Sequence, residues 1–419
     1  MAAPLPSLAP LTTSTTRPDA AAWTSLAQAR LDRVDPAAYA RSRNALGGAV
    51  TGLSPFITHG LLSLPEVLEA VGRREPLQLA HKLVAELGWR AFFRHVWAHR
   101  GEAIFASLHE GPLPDSAYAS QLPEDLRQGA TGLPVIDQAV RQLYATGELH
   151  NHARLWLASY AVHLRKLHWR SMADWLYGHL LDGDLASNAL SWQWVAGTGS
   201  HKPYLFNADN VARFAPAAWH SPGTLIDVSY EQLERWARQP EPVRSERAVL
   251  CPDAVTEPPL LAAPPAVLGF GPADARAVSG RPVWLIHPWH LADLPANLPQ
   301  GTVVIAVALL EFHRRWPWSE RRWQFVGGRM AALASARGEP HLWWTTAEDL
   351  AVALAEASSV QSVADPHVAG LLPAGVMLRP AAELFPAVSP VQASFSAWWT
   401  RSLRGLRSVE DLPGMRAPP

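Results

Sequence analysis

Apolar positions recur at helical spacing through the first half of this chain. Leu61, Leu64, Val67, Leu68 and Val71 form one such run, and Leu155, Ala158, Val162 and Leu167 form another, the periodicity of a helix with one buried face. Glycine and proline punctuate the runs: Gly129, Gly132 and Pro134 open one helix, Gly147 separates two, and Asp182-Gly183-Asp184 marks a turn before another. No alternating β pattern of any length interrupts them, so residues 20–230 are predicted to be an all-helical domain. Between 231 and 282 the texture changes. Pro240, Pro242, Pro252, Pro258, Pro259, Pro264 and Pro265 deny regular helix and predict a linker or wrapped loop. Beyond it lie the short apolar runs Val283–Ile286 and Thr302–Val307, with amphipathic stretches around Trp323–Ala336 and Asp349–Glu356. Short buried strands alternating with helices predict a parallel-sheet, Rossmann-like α/β domain over 283–400. The expected fold class is therefore multidomain, α followed by α/β.

Composition narrows the function. With 419 residues, 48% apolar and 17% charged, the chain can bury more than one core. A formal net charge of −1 excludes a grip on duplex DNA through overall basicity. Any nucleic-acid partner must be held by a groove, by stacking and by a pocket. The lone cysteine, Cys251, permits no internal disulfide, no cysteine zinc site and no iron–sulfur cluster. Neither a leader at the N-terminus nor an apolar run long enough to span a membrane is evident, so a cytoplasmic protein is expected. The 19 tryptophans against 7 tyrosines are the anomaly; most are read as packing residues.

Four constellations carry chemistry. Glu86, Trp89, Arg90 and Arg94 share one helix face at i, i+3, i+4 and i+8. Arginine can pair with a pyrophosphate, tryptophan offers a stacking platform, and Glu86 can bond the polar edge of a base; a salt-bridged helix with a core Trp is the plainer alternative. In Glu148-Leu-His150-Asn151-His152-Ala-Arg154-Leu155, a metal reading of His150 and His152 fails, because i and i+2 face apart on a helix. The third is Asp182-Gly-Asp184 … Asn188 … Trp192-Gln-Trp194. Its aspartates are equally readable as N-caps, and its two indoles diverge by roughly 200° around a helix axis. The fourth, Tyr39 … Arg43-Asn44 … Thr51-Gly-Leu-Ser54-Pro, puts hydroxyls before a helix terminus, where phosphate binds or where an ordinary cap sits.

In this order, and together with Thr131-Gly-Leu-Pro-Val-Ile-Asp137, these segments resemble the flavin-binding domain of the photolyase/cryptochrome family over roughly residues 20–220. The resemblance implies a bent, non-covalent FAD inside the helical domain. By match of motif, Tyr39, Thr51, Gly52, Leu53, Ser54 and Arg90 would hold its phosphates and ribityl chain. Arg154 and Asp182 would form an ion pair against the isoalloxazine, Asp184 would touch the ring edge and Asn188 would face N5. Glu86, Trp89, Asn151, Leu155 and Trp194, with Arg43, would line the lesion pocket. Trp192 would donate to the flavin and Trp169 would be the next relay. The implied reaction is light-driven splitting of cyclobutane pyrimidine dimers, favoured over (6-4) lesions because Asn151 follows His150.

The chain also departs from the family. The helical domain precedes the α/β segment, which is nearest to a bacterial photolyase class with rearranged domain order and implies a preference for single-stranded DNA. Glu148 stands where many members have Trp. The stretch from Gly101 to Ala130 contains no Trp, which leaves Tyr118 as the candidate terminal donor. Nothing marks an antenna-chromophore pocket, and a monomer is expected. The rival reading is a cryptochrome that senses blue light without repair.

Overall fold

The computed structural model describes residues 5–12, 19–243 and 253–416; Cys251 lies outside them. Helices in the first half begin and end where local chemistry dictates. Asp19 caps Ala20–Asp32 by accepting from the Ala22 amide, and Ser63 with Glu66 forms a reciprocal capping box on Leu64–Gly72. Gly147, left-handed at φ 69°, closes Pro134–Thr146 and starts the turn to Asn151–Ser159. The run from Leu155 to Leu167 is not one continuous α-helix. It passes into a π turn over Tyr160–Leu164, every side chain of which is buried, and leaves it through Lys166 at φ 55°. The widened turn re-aims the side chains, so burial continues where α periodicity would have rotated residues outward.

The proline-rich segment is a strap rather than a free linker. It starts with a helix, Tyr230–Ala237, capped by Ser229 and burying Leu233 and Ala237, so the boundary expected at 230 falls inside an element. Farther on, Val243 and Val255 donate backbone bonds to Leu164 and Gln128, and Leu260–Leu261 pairs antiparallel with Trp318–Ser319.

Five parallel strands follow: β1 (Pro282–Ile286), β2 (Val303–Leu309), β3 (His341–Thr345), β4 (Ser359–Val363) and β5 (Met377–Arg379). Their order in the sheet is β3-β2-β1-β4-β5. All seven residues of β2 are buried, as a strand covered on both faces requires. Helices Glu320–Ala334 and Ala347–Leu354 coincide with the two amphipathic stretches.

The two halves do not have separate cores. One hydrophobic cluster runs from Trp23, Phe56 and Val67 into Val283, Ile305, Trp318 and Phe325, while a second cluster stays within the helical half. Trp23 donates its indole N–H to the Phe325 carbonyl at 3.1 Å. In the opposite direction, helix Phe395–Ser402 lies on helix Lys82–Arg100, with Trp399 against Gly88 so closely that a Cβ there would sit 2.4 Å from the ring. Among the described residues no helix is long and apolar enough to cross a membrane.

Candidate functional site

A cavity of about 650 Å³ opens among the helices of the first half, within the range of roughly 300–1,000 Å³ usual for cofactor sites. Most residues nominated from the sequence meet there: Tyr39, Arg43, Thr51, Gly52, Leu53, Ser54, Glu86, Trp89, Arg90, Asn151, Arg154, Leu155, Asp182, Asp184, Asn188 and Trp192 all line it. Trp194, Trp169 and Tyr118 do not.

One wall holds the start of a helix that no side chain caps. The short helix Ser54–Thr58 has Leu53 at its N-cap and no side-chain cap, so the Thr/Ser-x-x-Ser-Pro pattern is not a capping device here. Gly52, at φ 62°, turns the chain into this wall. Arg90 reaches over it from helix Lys82–Arg100 and donates to Thr58 Oγ1 at 2.9 Å. No carboxylate among the described residues forms an ion pair with Arg90, although burial lowers its pKa. A half-buried guanidinium without a partner anion, beside a helix start with no side-chain cap, suits a phosphate.

The facing wall carries the Arg154–Asp182 pair, with Nη2 2.9 and 2.8 Å from the two carboxylate oxygens and Nε on the Leu149 carbonyl. Asn188 Nδ2 donates to the Ala173 carbonyl at 2.8 Å. Its Oδ1 has no protein partner among the described residues, so the free end of this amide is an acceptor. Trp192, one turn along at 3% exposure, closes the floor. At the mouth, Asn151 is exposed, and Glu86 pairs with Arg43 at 3.3 Å. Trp89 is half-buried, and Phe395 stacks on its ring at 4.0 Å and 9°.

Other nominated groups are committed to structure. Asp184 caps helix Leu185–Ala196 through Oδ1 to the Ser187 amide, and its Oδ2 accepts from Arg94 Nη2 at 2.9 Å. Burial alone would raise its pKa, but Arg94 and the neighbouring cations hold it well below the usual range. Arg94 also grips Asp365 at 2.8 Å, so its charge is spent on two carboxylates rather than offered to a ligand. His150 is an N-cap whose Nδ1 accepts from the His152 amide; burial brings its pKa down to about 4. Asp137 gathers the Thr131 amide and hydroxyl and the Gly132 amide within 2.7–3.1 Å, which locks a loop away from the cavity. Trp194 is 40% exposed and leans on Tyr204 outside the cavity wall. Trp169 is buried in the same core cluster as Trp192. Tyr118 has its ring 6.4 Å from that of His168, whose ring is in turn 5.9 Å from that of Trp169.

Two lining groups, Arg30 and Ser187, and the adjacent Thr58 escaped the sequence reading. Arg30, 1% exposed, forms a two-point pair with Glu148 at 2.6 and 3.0 Å and donates to the Gly52 carbonyl. Thr58 holds Arg90 and donates to the Asp182 carbonyl. Ser187 also lines the cavity. The signal for Arg30 was present, since it falls on the buried stripe Trp23, Ala27, Arg30, Leu31, where an unpaired cation would be costly. Glu148 takes its place in that pair.

Residues 83–224 match the family described as the FAD binding domain of DNA photolyase. A deoxyribodipyrimidine photo-lyase of Thermus thermophilus is 35% identical over 206 residues, 48% of this chain and 46% of that one. The deoxyribodipyrimidine photo-lyase of Streptomyces griseus is 36% identical over 156 residues, 37% of this chain and 33% of that one. A cryptochrome DASH of Idiomarina loihiensis is 31% identical over 210 residues, 48% and 44% of the two chains. Among solved structures, the Synechocystis cryptochrome aligns over 56% of this chain and 54% of its own, with 25% identity and a TM-score of 0.43. Residues 83–224 thus match an FAD-binding photolyase domain, their regular elements are helices, and the chain is similar to photolyases and cryptochromes. It spans less than half the length of these curated relatives.

Proposed function

We propose that the cavity holds FAD and that the protein, as a monomer, uses light to split cyclobutane pyrimidine dimers, preferentially in single-stranded DNA. The observation that carries this reading is the meeting, in one cavity, of an unpaired half-buried cation, a free amide acceptor and a buried indole. Bound there, photo-excited reduced FAD supplies one electron to the dimer and receives it back once the two bonds have split.

The chain's own residues do the rest. Arg90, with Thr51, Gly52, Leu53, Ser54 and Tyr39, provides the phosphate and ribityl seat. Arg154 and Asp182 present a planar charge pair to the ring. Because Asn188 has its N–H₂ tied to Ala173, its oxygen is turned to accept from an N–H such as N5 of a reduced ring. Asp184, whose oxygens are already bonded, orients the start of the helix that carries Asn188 and stands at the ring edge. Trp89 supplies the stacking face for an extruded base, worth about 1–3 kcal/mol. Glu86, Asn151, Arg43 and Leu155 shape the mouth around it, and Trp194 flanks the approach. Trp192 is the first electron donor for restoring the reduced state, Trp169 the second and Tyr118 the outermost. A flexible strand presents its dimer without the unpairing that duplex requires and needs fewer phosphate contacts, which suits a chain of net charge −1.

The cryptochrome DASH relatives favour a second reading, a blue-light sensor without repair. Purified protein that is yellow and clears dimers from irradiated oligonucleotides under blue light supports repair. A yellow protein that leaves them intact supports sensing. Equal rates on single and double strands at matched salt would refute the strand preference alone.

A further inference from the structure

The stretch between Gly101 and Ala130 lacks a tryptophan, yet it reaches Trp169 by another route. Trp169 is 2% exposed, and its indole N–H donates to Ser107 Oγ at 3.0 Å. The Ser107 hydroxyl donates to Asp115 Oδ1 at 2.9 Å, and the Asp115 side chain is 50% exposed. A buried indole is therefore joined through one hydroxyl to a carboxylate in contact with water.

Trp175 also ends at a carboxylate, Glu257 Oε1 at 2.8 Å, but that carboxylate is already held by Arg127 and Trp175 is not on the proposed donor path. Trp23 and Trp323 donate to backbone carbonyls, which cannot take a proton. Trp192 has no protein acceptor for its N–H among the described residues. Tyr118 is placed close by, because Ala119 bonds to the backbone of Lys166 and His168. Its hydroxyl, however, lies against the Leu113 backbone amide rather than a carboxylate, and burial with Asp115 nearby pushes its pKa up to about 12.

We infer that Ser107 and Asp115 form the proton exit of the electron-donor chain, with Trp169 as the residue that loses the proton. The inference rests on the proposed path from Trp169 through Trp192 to the flavin. One electron leaves Trp192 for photo-excited oxidised FAD, the oxidant, and one electron from Trp169 refills Trp192. Removing an electron from the indole ring makes its N–H a far stronger acid. The Nε1 proton then passes to Ser107 Oγ as the Ser107 proton passes to Asp115 Oδ1. Trp169 is left as a neutral radical and Asp115 as a neutral carboxylic acid that exchanges with water. The flavin has gained the one electron that Trp169 lost, and the proton has reached the solvent side. Without its proton, Trp169 no longer carries the positive charge that draws the electron back, so charge separation lasts longer.

Ser107 and Asp115 are positioning and proton-accepting groups, and the test reads the radical rather than repair. A blue pulse on the purified, flavin-loaded, oxidised protein should give a tryptophan radical cation that converts to the neutral radical, more slowly in D₂O. Asp115→Asn and Ser107→Ala should each slow that conversion by roughly 10²-fold, the lower end of what a positioned proton acceptor supplies. Both should shorten the charge-separated state while retaining flavin, and Ser107→Thr should restore the wild-type trace. Wild-type conversion rates in both Asp115→Asn and Ser107→Ala overturn the inference. Trp169→Phe separates the premises: loss of the long-lived radical supports the electron path, and its persistence overturns that path together with the exit built on it.

Discussion

The helical half and the sheet each end in a crevice, and only one of them is open. In a parallel sheet of order β3-β2-β1-β4-β5 the chain reverses direction between β1 and β4, and the strand ends there are the usual place for a ligand. Here that place is filled. The loop after β4 sends Asp365 to Arg94, and His367 accepts from the Leu185 amide while stacking on Trp289 at 4.5 Å. The loop after β1 gives its Pro288 carbonyl to His59, which also reaches the Leu181 carbonyl. The cavity among the helices, by contrast, keeps a cation and an amide oxygen unpaired. A fold of ligand-binding type has become a buttress, and the residues it braces belong to the other half's cavity.

Breaking the buttress should have the largest effect. Arg94→Met leaves Asp184 and Asp365 buried without their cation, and a loss of about 3–5 kcal/mol is expected in urea unfolding. The sign with pH follows from the lowered folded-state pKa of both carboxylates. Their contribution is whole above the unfolded value near ~3.9 and fades as pH falls through the folded values. Removing Arg94 brings those values back toward the unfolded one, so the variant, less stable at neutral pH, should lose less further stability than wild type as pH falls.

Emptying the cavity is next. Arg90→Met, which removes a charge-assisted donor worth about 1.5–3 kcal/mol, should weaken FAD retention by roughly 10- to 100-fold in a titration of stripped protein, with little change in the unfolding midpoint. Trp89→Ala should retain flavin but lose about 1–3 kcal/mol of affinity for a dimer-containing oligonucleotide. Undiminished oligonucleotide binding would remove Trp89 from the proposed site. A smaller effect is expected at His150, where His150→Ala, which removes the cap, should cost about 1 kcal/mol. Since its folded pKa lies near 4 and the unfolded one near ~6.5, the wild type should lose stability as pH falls between them, and His150→Asn should flatten that slope. The smallest effect belongs to Tyr118→Phe, expected to slow flavin photoreduction alone; an unchanged rate ends its candidacy as terminal donor.

Much of the cavity was legible because its parts are local. Glu86, Trp89 and Arg90 share a face by helical arithmetic, and Asp182–Asp184 precede a helix that carries Asn188 and Trp192. Arg94 sits on the same stripe, but its fate could not be read there, because the carboxylate that captures half its charge lies at position 365. Arg30 and Glu148 are likewise joined across a long stretch of chain. The boundary at 230 failed for a local reason, since prolines farther on masked the helix capped by Ser229. The core shared between the two halves was hidden for a global one: periodicity reports that a face is apolar and says nothing of which other face will cover it.

By itself the sequence determined which segments are helix and strand, where the turns fall and which side chains share a face. These follow from backbone sterics, capping and the 3.6- and 2-residue periods, all of which act over a few residues. Only the tertiary structure decided which charges cancel and which remain available. Arg90 and Arg94 are one turn apart on one helix; the first is left facing the cavity and the second is consumed by Asp184 and Asp365. Coulomb attraction and desolvation depend on distance in space, and folding alone sets that distance.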